Sequence, residues 1–329
     1  MTPLSRSQGT RREIDRLGEL SSLKILVTGG TGFIGTHLCN RLGALAANVH
    51  AVSRAGRPDG ALRWWEGDLR DIIFTRRIFE AIKPDIVFHL AGLPVGNRSL
   101  EFVLPTFNSN LLTTVNLLTI ATEFKCRRFV FAGSLEEPAS SELTPCSPYA
   151  VSKWACSSYG KMFHSLYGSP IVNARIFMTY GPGQSDLQKL IPYVILSLLT
   201  GQAPRLSSGE RLVDWIYVHD VVEGLLAAAV ESKAVGATVD LGSGTLVSIR
   251  SVVEQIATIV ASGTEFQFNA FADRPMEQVR VADAANSFEV LGWKPQTSLE
   301  QGLHETVNWY RRQLHEDSTL AQRFQETFV

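Results

Sequence analysis

Three side chains in this sequence have the types and spacing to move a proton: Ser134, Tyr149 and Lys153. In the run Tyr149-Ala150-Val151-Ser152-Lys153 the phenol and the ammonium are four residues apart, and positions i and i+4 of a helix share a face. A neighbouring cation favours phenolate and brings a tyrosine toward the pKa of a usable proton donor and acceptor. Pro148, directly before the pair, suits a first helical turn. Taken alone, a Tyr-x-x-x-Lys pair is most often a surface accident, so its meaning depends on what precedes it. The apolar run 128–132 (RFVFA) reads as a strand. It delivers Gly133 and Ser134 to the carboxyl edge of a sheet, where open α/β folds place their ligands.

The elements that must position these residues begin at 24–35 (KILVTGGTGFIG), a short apolar strand that breaks into glycines and resumes with helical spacing. Gly29, Gly32 and Gly35 let the backbone turn tightly and let a pyrophosphate approach the amides of a helix N-terminus. Phe33, Ile34 and Leu38 supply the apolar stripe of that helix, so a nucleotide cofactor is the expected occupant. A second strand at 48–53 (NVHAVS) ends in Ser53-Arg54, where an adenosine ribose should lie. A carboxylate there would accept the ribose hydroxyls and repel a 2′-phosphate; a small hydroxyl followed by a guanidinium invites that phosphate. The expected cofactor is therefore NADP, with NAD as the alternative, and the competing reading leaves Arg54 and Arg57 on a solvated loop. The chain continues through 67–71 (GDLRD), a helix patterned on Ile78 and Ile82, and a buried strand at 85–90 running into Ala91-Gly92. Asp68 either caps a helix or receives the adenine amino group. Asn110 and Thr114 open a long apolar helix whose polar residues can bond backbone.

With 329 residues, 45% of them hydrophobic, the chain can bury a large core. Its 31 basic and 32 acidic residues give a net charge of -1, which offers no global attraction to nucleic acid or a membrane surface. The four cysteines show no metal-ligand spacing, no metal is expected, and no apolar run reaches bilayer length. Nothing at the N-terminus resembles a signal peptide, so a cytoplasmic setting is expected. Residues 1–22 read as a polar extension without an assigned role.

On these motifs the sequence resembles the extended short-chain dehydrogenases/reductases, the group of sugar-nucleotide epimerases, dehydratases and ketoreductases. TGGTGFIG resembles that family's cofactor loop, HLAG at 89–92 its second cofactor wall and YAVSK its catalytic helix. RIFMTYGPGQ at 175–184, DWIYVHDVV at 214–222, RPMEQVRVAD at 274–283 and the following LGWKP match in the same order. The resemblance implies that Ser134 bonds the reacting sugar oxygen, Tyr149 exchanges its proton, and Lys153 binds the nicotinamide ribose while tuning Tyr149. By the same resemblance Gly29, Gly32, Phe33, Ile34 and Gly35 hold the pyrophosphate, Asp68 and Leu69 the adenine, and Leu90, Ala91 and Gly92 the middle of the dinucleotide. The implied fold is α/β, a Rossmann-type doubly wound parallel sheet with a smaller, mainly C-terminal substrate-binding lobe. Its sheet domain spans 23–180 with a returning segment near 212–242, and its lobe spans mainly 181–211 and 243–312 before a helical tail. A homodimer through a four-helix bundle is implied as well, with the apolar positions of LLTTVNLLTIA and WACSSYGKMF as candidates; equally, those faces read as ordinary core.

The substrate half departs from the family pattern. Met178 stands where Asn is common and Val213 where Arg is common, both positions that usually touch a substrate diphosphate. Arg274 keeps its family place and Lys189 takes the place of a common Asn, so Lys189, Arg205, Arg211 or Arg274 can meet the phosphate charge; the competing reading leaves these cations on a solvated surface. The run Ser134-Leu135-Glu136-Glu137 separates subclasses. A 4,6-dehydratase pattern has Thr-Asp-Glu, and Leu135 cannot supply the acid; Glu136 can still act as an acid/base or orient a hydroxyl. The expected activity is NADPH-dependent reduction of a 4-keto sugar nucleotide. An NAD-dependent 4-epimerase is the alternative, and a non-catalytic NADP-sensing or scaffold protein is the reading from another class.

Overall fold

The computed structural model describes residues 17–55, 62–140, 143–261, 263–264, 266–317 and 319–327. Runs of β-branched and aromatic residues form short strands, β1 (Lys24–Thr28), β2 (Asn48–Ser53), β3 (Arg63–Glu66), β4 (Ile86–His89), β5 (Arg128–Ser134) and β6 (Ile171–Ile176). Three more strands, β7 (Met178–Tyr180), β8 (Leu212–Tyr217) and β9 (Thr238–Leu241), precede a short β10 (Leu246–Ser248). Seven strands make one parallel sheet in the order β3-β2-β1-β4-β5-β6-β9. All four residues of β4 are buried, as expected of a strand covered on both faces. The order reverses at β1, between β2 and β4, which opens a crevice at the carboxyl ends of those strands.

Helices flank the sheet because the intervening segments carry apolar residues at helical spacing and stop signals at their ends. They include α1 (Phe33–Ala44), α2 (Ile72–Ile82), α3 (Thr113–Glu123) and α4 (Pro148–Tyr167). A π-helical turn, Phe107–Leu112, leads into α3. Helix α4 has Pro at its first position, Ser147 as N-cap accepting the Ala150 N–H, and Gly168 at φ 66° as C-cap, a conformation that favours glycine. Leu26, Val87, Phe129 and Phe131 of the sheet pack with Ile78, Phe79, Leu117, Cys156 and Phe163 of the helices. Cys39, Cys126 and Cys156 are buried free thiols, and burial pushes Cys39 and Cys126 up to about 12, which suits packing residues.

The chain divides into two units, the first comprising residues up to Ile176 with Val222–Asp240 and Ala285–Trp293, the second Phe177–Val221, Leu241–Ala284 and the residues from Lys294 onward. The second unit is built on a core of Tyr180, Ile195, Trp215, Val253, Ile256, Val307 and Tyr310. Two boundaries differ from the sequence reading. The returning segment expected near 212–242 contributes only β9 to the large sheet, because β8 lies between β7 and β10 in a separate three-stranded sheet. Residues 285–293, expected in the substrate lobe, belong to the first unit, where the Ser287 hydroxyl donates to the Asp240 carbonyl and accepts its N–H. Among the described residues no helix is long and apolar enough to cross a membrane, and no group of three or more His, Cys, Asp or Glu is placed to hold a metal ion.

Candidate active site

The turn between β1 and α1 is closed by the Gly32 N–H donating to the Gly29 carbonyl at 2.9 Å. Gly29 has φ 72°, and a Cβ there would fall 2.7 Å from the Ala91 nitrogen; at Gly35 it would fall 2.0 Å from the Gly29 oxygen. Gly32 is the N-cap, offers no side-chain cap, and its carbonyl takes the first helical bond from Thr36. The amides of Phe33, Ile34 and Gly35 are therefore first-turn donors without helical acceptors. A bare helix N-terminus at the crevice suits the pyrophosphate of a dinucleotide. Trp64 of β3 also reaches this loop, its ring edge being 3.3 Å from where a Cβ of Gly30 would lie. No sequence motif pointed to that tryptophan.

At the end of β2 the Ser53 hydroxyl is used locally, accepting the Ala55 N–H at 3.2 Å and donating to the Ala55 carbonyl. Arg54 is exposed, and Arg57 lies outside the described residues. Of the two readings of Asp68, the structure corrects the helix cap. Helix α2 is capped by Asp71, which accepts from the Ile73 and Phe74 N–H groups, while Asp68 accepts from the backbone and guanidinium of Arg70. Those bonds from Arg70, with help from the Arg54 charge, hold the Asp68 carboxyl below the usual carboxylate range. Leu69 is buried beside it, and its carbonyl accepts from the Asn116 side chain.

The segment Leu90, Ala91, Gly92 is pinned from both sides. Leu90 N–H donates to the Thr28 carbonyl and Ala91 N–H to the Thr28 hydroxyl, both at 3.2 Å. His89 bridges Thr28 and Thr114 through its two ring nitrogens at 2.7 and 2.9 Å, and burial with the Lys153 charge pushes it down to about 3. Asn110, delivered by the π-turn, accepts from Leu93 N–H at 2.6 Å and donates to the Ser152 hydroxyl at 2.9 Å. Asn110 thus ties this segment to the helix carrying Tyr149. Its only signal in the sequence was a polar residue opening an apolar helix.

The three residues expected to handle the proton, Ser134, Tyr149 and Lys153, all lie in the first unit. Ser134 ends β5, its hydroxyl accepting the Glu136 N–H at 3.2 Å and acting on the Tyr149 phenol as a polar neighbour that lowers it. Lys153 Nζ donates to the Ala132 carbonyl at 2.8 Å and stands 5.9 Å from the centre of the Tyr149 ring. The expected lowering of the phenol by its lysine neighbour does not occur in this arrangement. Burial pushes Tyr149 above its ordinary value, the Ser134 hydroxyl opposes that, and the charges of Glu136, Glu137 and Cys156 raise it further. The ammonium is spent on a backbone carbonyl and is itself lowered by burial. Glu136 accepts from the Ser147 hydroxyl at 3.3 Å, so it braces the N-cap of α4 at the edge of the site. Leu135 is buried, its N–H donating to the Ile176 carbonyl.

The substrate candidates all lie in the second unit. Arg205 is exposed and stacks 4.9 Å over the Phe271 ring, and Arg211 forms an ion pair with Glu277. Both are thereby tied to the segment that carries Arg274, which is exposed. Arg211 Nε is buried without a hydrogen-bond partner. Lys189 is exposed at the N-cap position of the helix α5 (Leu190–Leu199), and Met178 packs against the second core from β7.

A Rossmann sheet with this glycine turn and a strand-end serine beside a Tyr-x-x-x-Lys helix defines an extended short-chain dehydrogenase/reductase. Within that class the chain belongs to the NAD dependent epimerase/dehydratase family, whose model matches residues 25–242. It is 31% identical over 337 residues to dTDP-glucose 4,6-dehydratase 1 of Escherichia coli (strain K12), covering 88% of this chain and 92% of that one. Among solved structures, the epimerase Mth375 of Methanothermobacter thermautotrophicus superposes with a TM-score of 0.85 at 26% identity, covering 97% of this chain and 99% of that one. WbmF of Bordetella bronchiseptica, solved in complex with NAD+ and UDP, gives a TM-score of 0.81 at 26% identity, covering 94% and 98%.

Proposed function

We propose that the protein reduces the 4-keto group of a nucleotide-linked sugar with NADPH in the cytoplasm. The observation that carries this reading is Leu135, a buried apolar side chain between Ser134 and Glu136 where water elimination would need an acid. Without that acid the site retains what keto–alcohol interconversion requires. The Ser134 hydroxyl holds the substrate oxygen, and the Tyr149 phenol, kept protonated by burial, gives its proton to that oxygen as it gains charge. Lys153 supplies a fixed positive charge on the same helix face. Bound NADPH supplies the hydride. Arg54, with no carboxylate at 53 or 54, favours a 2′-phosphate at the ribose. Arg205, Arg211, Arg274 and Lys189 are the cations proposed for the substrate diphosphate, and Met178 for an apolar wall of the same pocket.

A 4-epimerase using NAD is the second reading, supported by the likeness to an epimerase and to a protein that binds NAD+ and UDP. A homodimer is supported by the apolar side chains left exposed on Leu100, Leu104 and Phe107 and on Tyr159, Leu166 and Tyr167 of α4. The test follows NADPH oxidation at 340 nm with dTDP- and UDP-4-keto-6-deoxyglucose, and separately the interconversion of UDP-glucose and UDP-galactose with NAD. Consumption of NADPH with either keto sugar is expected. Interconversion without net NADH, and no NADPH consumption, moves the function to the epimerase.

A further inference from the structure

Directly beneath the strand end that carries Ser134 lies a buried carboxylate that the chemistry above does not use. Glu137 is 1% exposed. Its Oε1 accepts the Ser134 N–H at 2.8 Å and its Oε2 accepts the Ser157 hydroxyl at 2.7 Å. Ser157 sits on α4, one helical turn beyond Lys153 and two beyond Tyr149. The carboxylate therefore spans the strand that ends in the serine and the helix that carries the phenol.

A polar layer supports it. The Asn173 side chain donates to the Ser157 hydroxyl at 2.7 Å, while its own carbonyl oxygen is buried without a partner. Arg175 Nε lies 3.9 Å from Glu137 Oε2, and its Nη1 donates to Asp240 at 2.8 Å. Asp240 in turn is held by Ser287. Gly133 leaves the room: a Cβ there would fall 2.3 Å from Asn173 Oδ1 and 2.6 Å from Glu137 Oε1. A buried charge with this much polar support is rarely the most stable filling of a core, since well-packed apolar groups of the same volume are often as good or better. Its gain here is geometric, because each partner is rigid and the two ends of the carboxylate fix two elements at once.

We propose that Glu137 is the positioning residue of the active site, its carboxylate setting the distance between the Ser134 hydroxyl and the Tyr149 phenol by clamping the end of β5 to α4. This rests on the assignment of Tyr149 as proton donor. Misplacing a reacting group by about 1 Å can cost about a hundredfold in rate, so loosening the clamp should lower kcat without weakening binding.

The test compares Glu137→Gln, Ser157→Ala and Tyr149→Phe, using dTDP-4-keto-6-deoxyglucose with NADPH, or UDP-glucose with NAD if the epimerase reading holds. The neutral, isosteric Glu137→Gln should lower kcat roughly tenfold to a hundredfold, with KM and the NADPH dissociation constant within about twofold of wild type. Ser157→Ala should lower kcat in the same direction, and the double variant should be no worse than Glu137→Gln alone. A second readout separates position from mere stability. The ionisable groups facing the phenol are Glu136 and Glu137 beyond β5, and Lys153 and Cys156 on α4; Glu137 is one that raises it. Glu137→Gln should therefore move the alkaline limb of the kcat profile to lower pH, and Ser157→Ala should leave it in place. Wild-type kcat and an unmoved limb in Glu137→Gln, with Tyr149→Phe inactive, overturn the positioning role alone. Turnover retained by Tyr149→Phe overturns the proton-donor assignment and the positioning role with it.

Discussion

Lys153 and Tyr149 share one face of α4, yet the ammonium bonds the Ala132 carbonyl and lies 5.9 Å from the centre of the phenol ring. The ammonium therefore cannot be credited with ionising the phenol in this arrangement. Desolvation dominates the protonation of the phenol, and the Ser134 hydroxyl opposes it. A tyrosine held in its acid form is suited to giving a proton to a carbonyl oxygen that is becoming an alkoxide.

The first prediction concerns that proton. Tyr149→Phe keeps the ring and removes only the donor, so turnover should fall about 10²- to 10⁴-fold, the usual range for general acid/base loss. The NADPH dissociation constant, read from fluorescence quenching of the protein, should stay within about twofold. Wild-type turnover by this variant removes Tyr149 from the chemistry.

The second concerns pH. Burial raises the phenol above its ordinary value, so it is protonated throughout the neutral range. In the reduction direction, which needs the acid form, kcat should be flat from neutral to mildly alkaline pH and fall only as pH rises through the raised value. In the oxidation direction, which needs the base form, the rate should rise with pH over the same interval. A reduction rate that falls between pH 6 and 8 would mean that another group donates the proton.

How far the sequence disclosed these features follows from the range of the interactions that create them. The glycine turn and the Tyr149–Lys153 pair lie within five to seven residues, so periodicity and turn chemistry reveal them, and Ser134 follows once β5 is read as a strand. Asn110 and Glu137 matter through partners such as Ser152, Ser157 and Arg175, which no local pattern links to them. Asp68 was ambiguous because Asp71, three residues on, competes for the cap and Arg70 for the carboxylate. The strand β8 reads like any other apolar strand; only its pairing with β7 and β10 assigns it to the smaller sheet.

The third prediction is about assembly. Leu104 and Phe107 are exposed at the start of the helical segment that precedes α3, and Tyr159 and Leu166 are exposed on α4. If these faces pair across a dimer, Leu104→Asp with Leu166→Asp would bury unpaired carboxylates at the interface. The double variant should elute as a monomer in light-scattering chromatography and keep its circular dichroism. A wild-type protein that is already monomeric at micromolar concentration removes this interface.

The fourth concerns the diphosphate. Arg211 already pairs with Glu277, so it would have to exchange a carboxylate for a phosphate, whereas exposed Arg274 needs no exchange. Charge-assisted hydrogen bonds contribute about 1.5–3 kcal/mol. Arg274→Ala should weaken UDP binding more than tenfold by calorimetry, and Glu277→Gln should strengthen it by freeing Arg211. An unchanged UDP affinity in Arg274→Ala assigns that side chain to structure alone.

The last prediction is the cofactor choice. Arg54 is exposed just beyond β2, its charge felt at Asp68, and the Arg70 guanidinium is engaged by Asp68. The Ser53 hydroxyl is turned into its own loop, so Arg54 is left as the described side chain at 53 or 54 that can meet a 2′-phosphate. With one charge-assisted contact of about 1.5–3 kcal/mol, NADPH should bind at least tenfold more tightly than NADH. Replacing Ser53 with Asp and Arg54 with Ala together should invert that order, because a carboxylate accepts the ribose hydroxyls and repels the phosphate. Trp64 lies against the phosphate turn and gives a natural fluorescence reporter for the titration. The inversion should be seen with both reduced cofactors at fixed salt, since an exposed cation is readily screened. Equal affinities in the unaltered protein, or purification with tightly held NAD, would remove Arg54 as a phosphate ligand and transfer the function to the NAD-dependent epimerase.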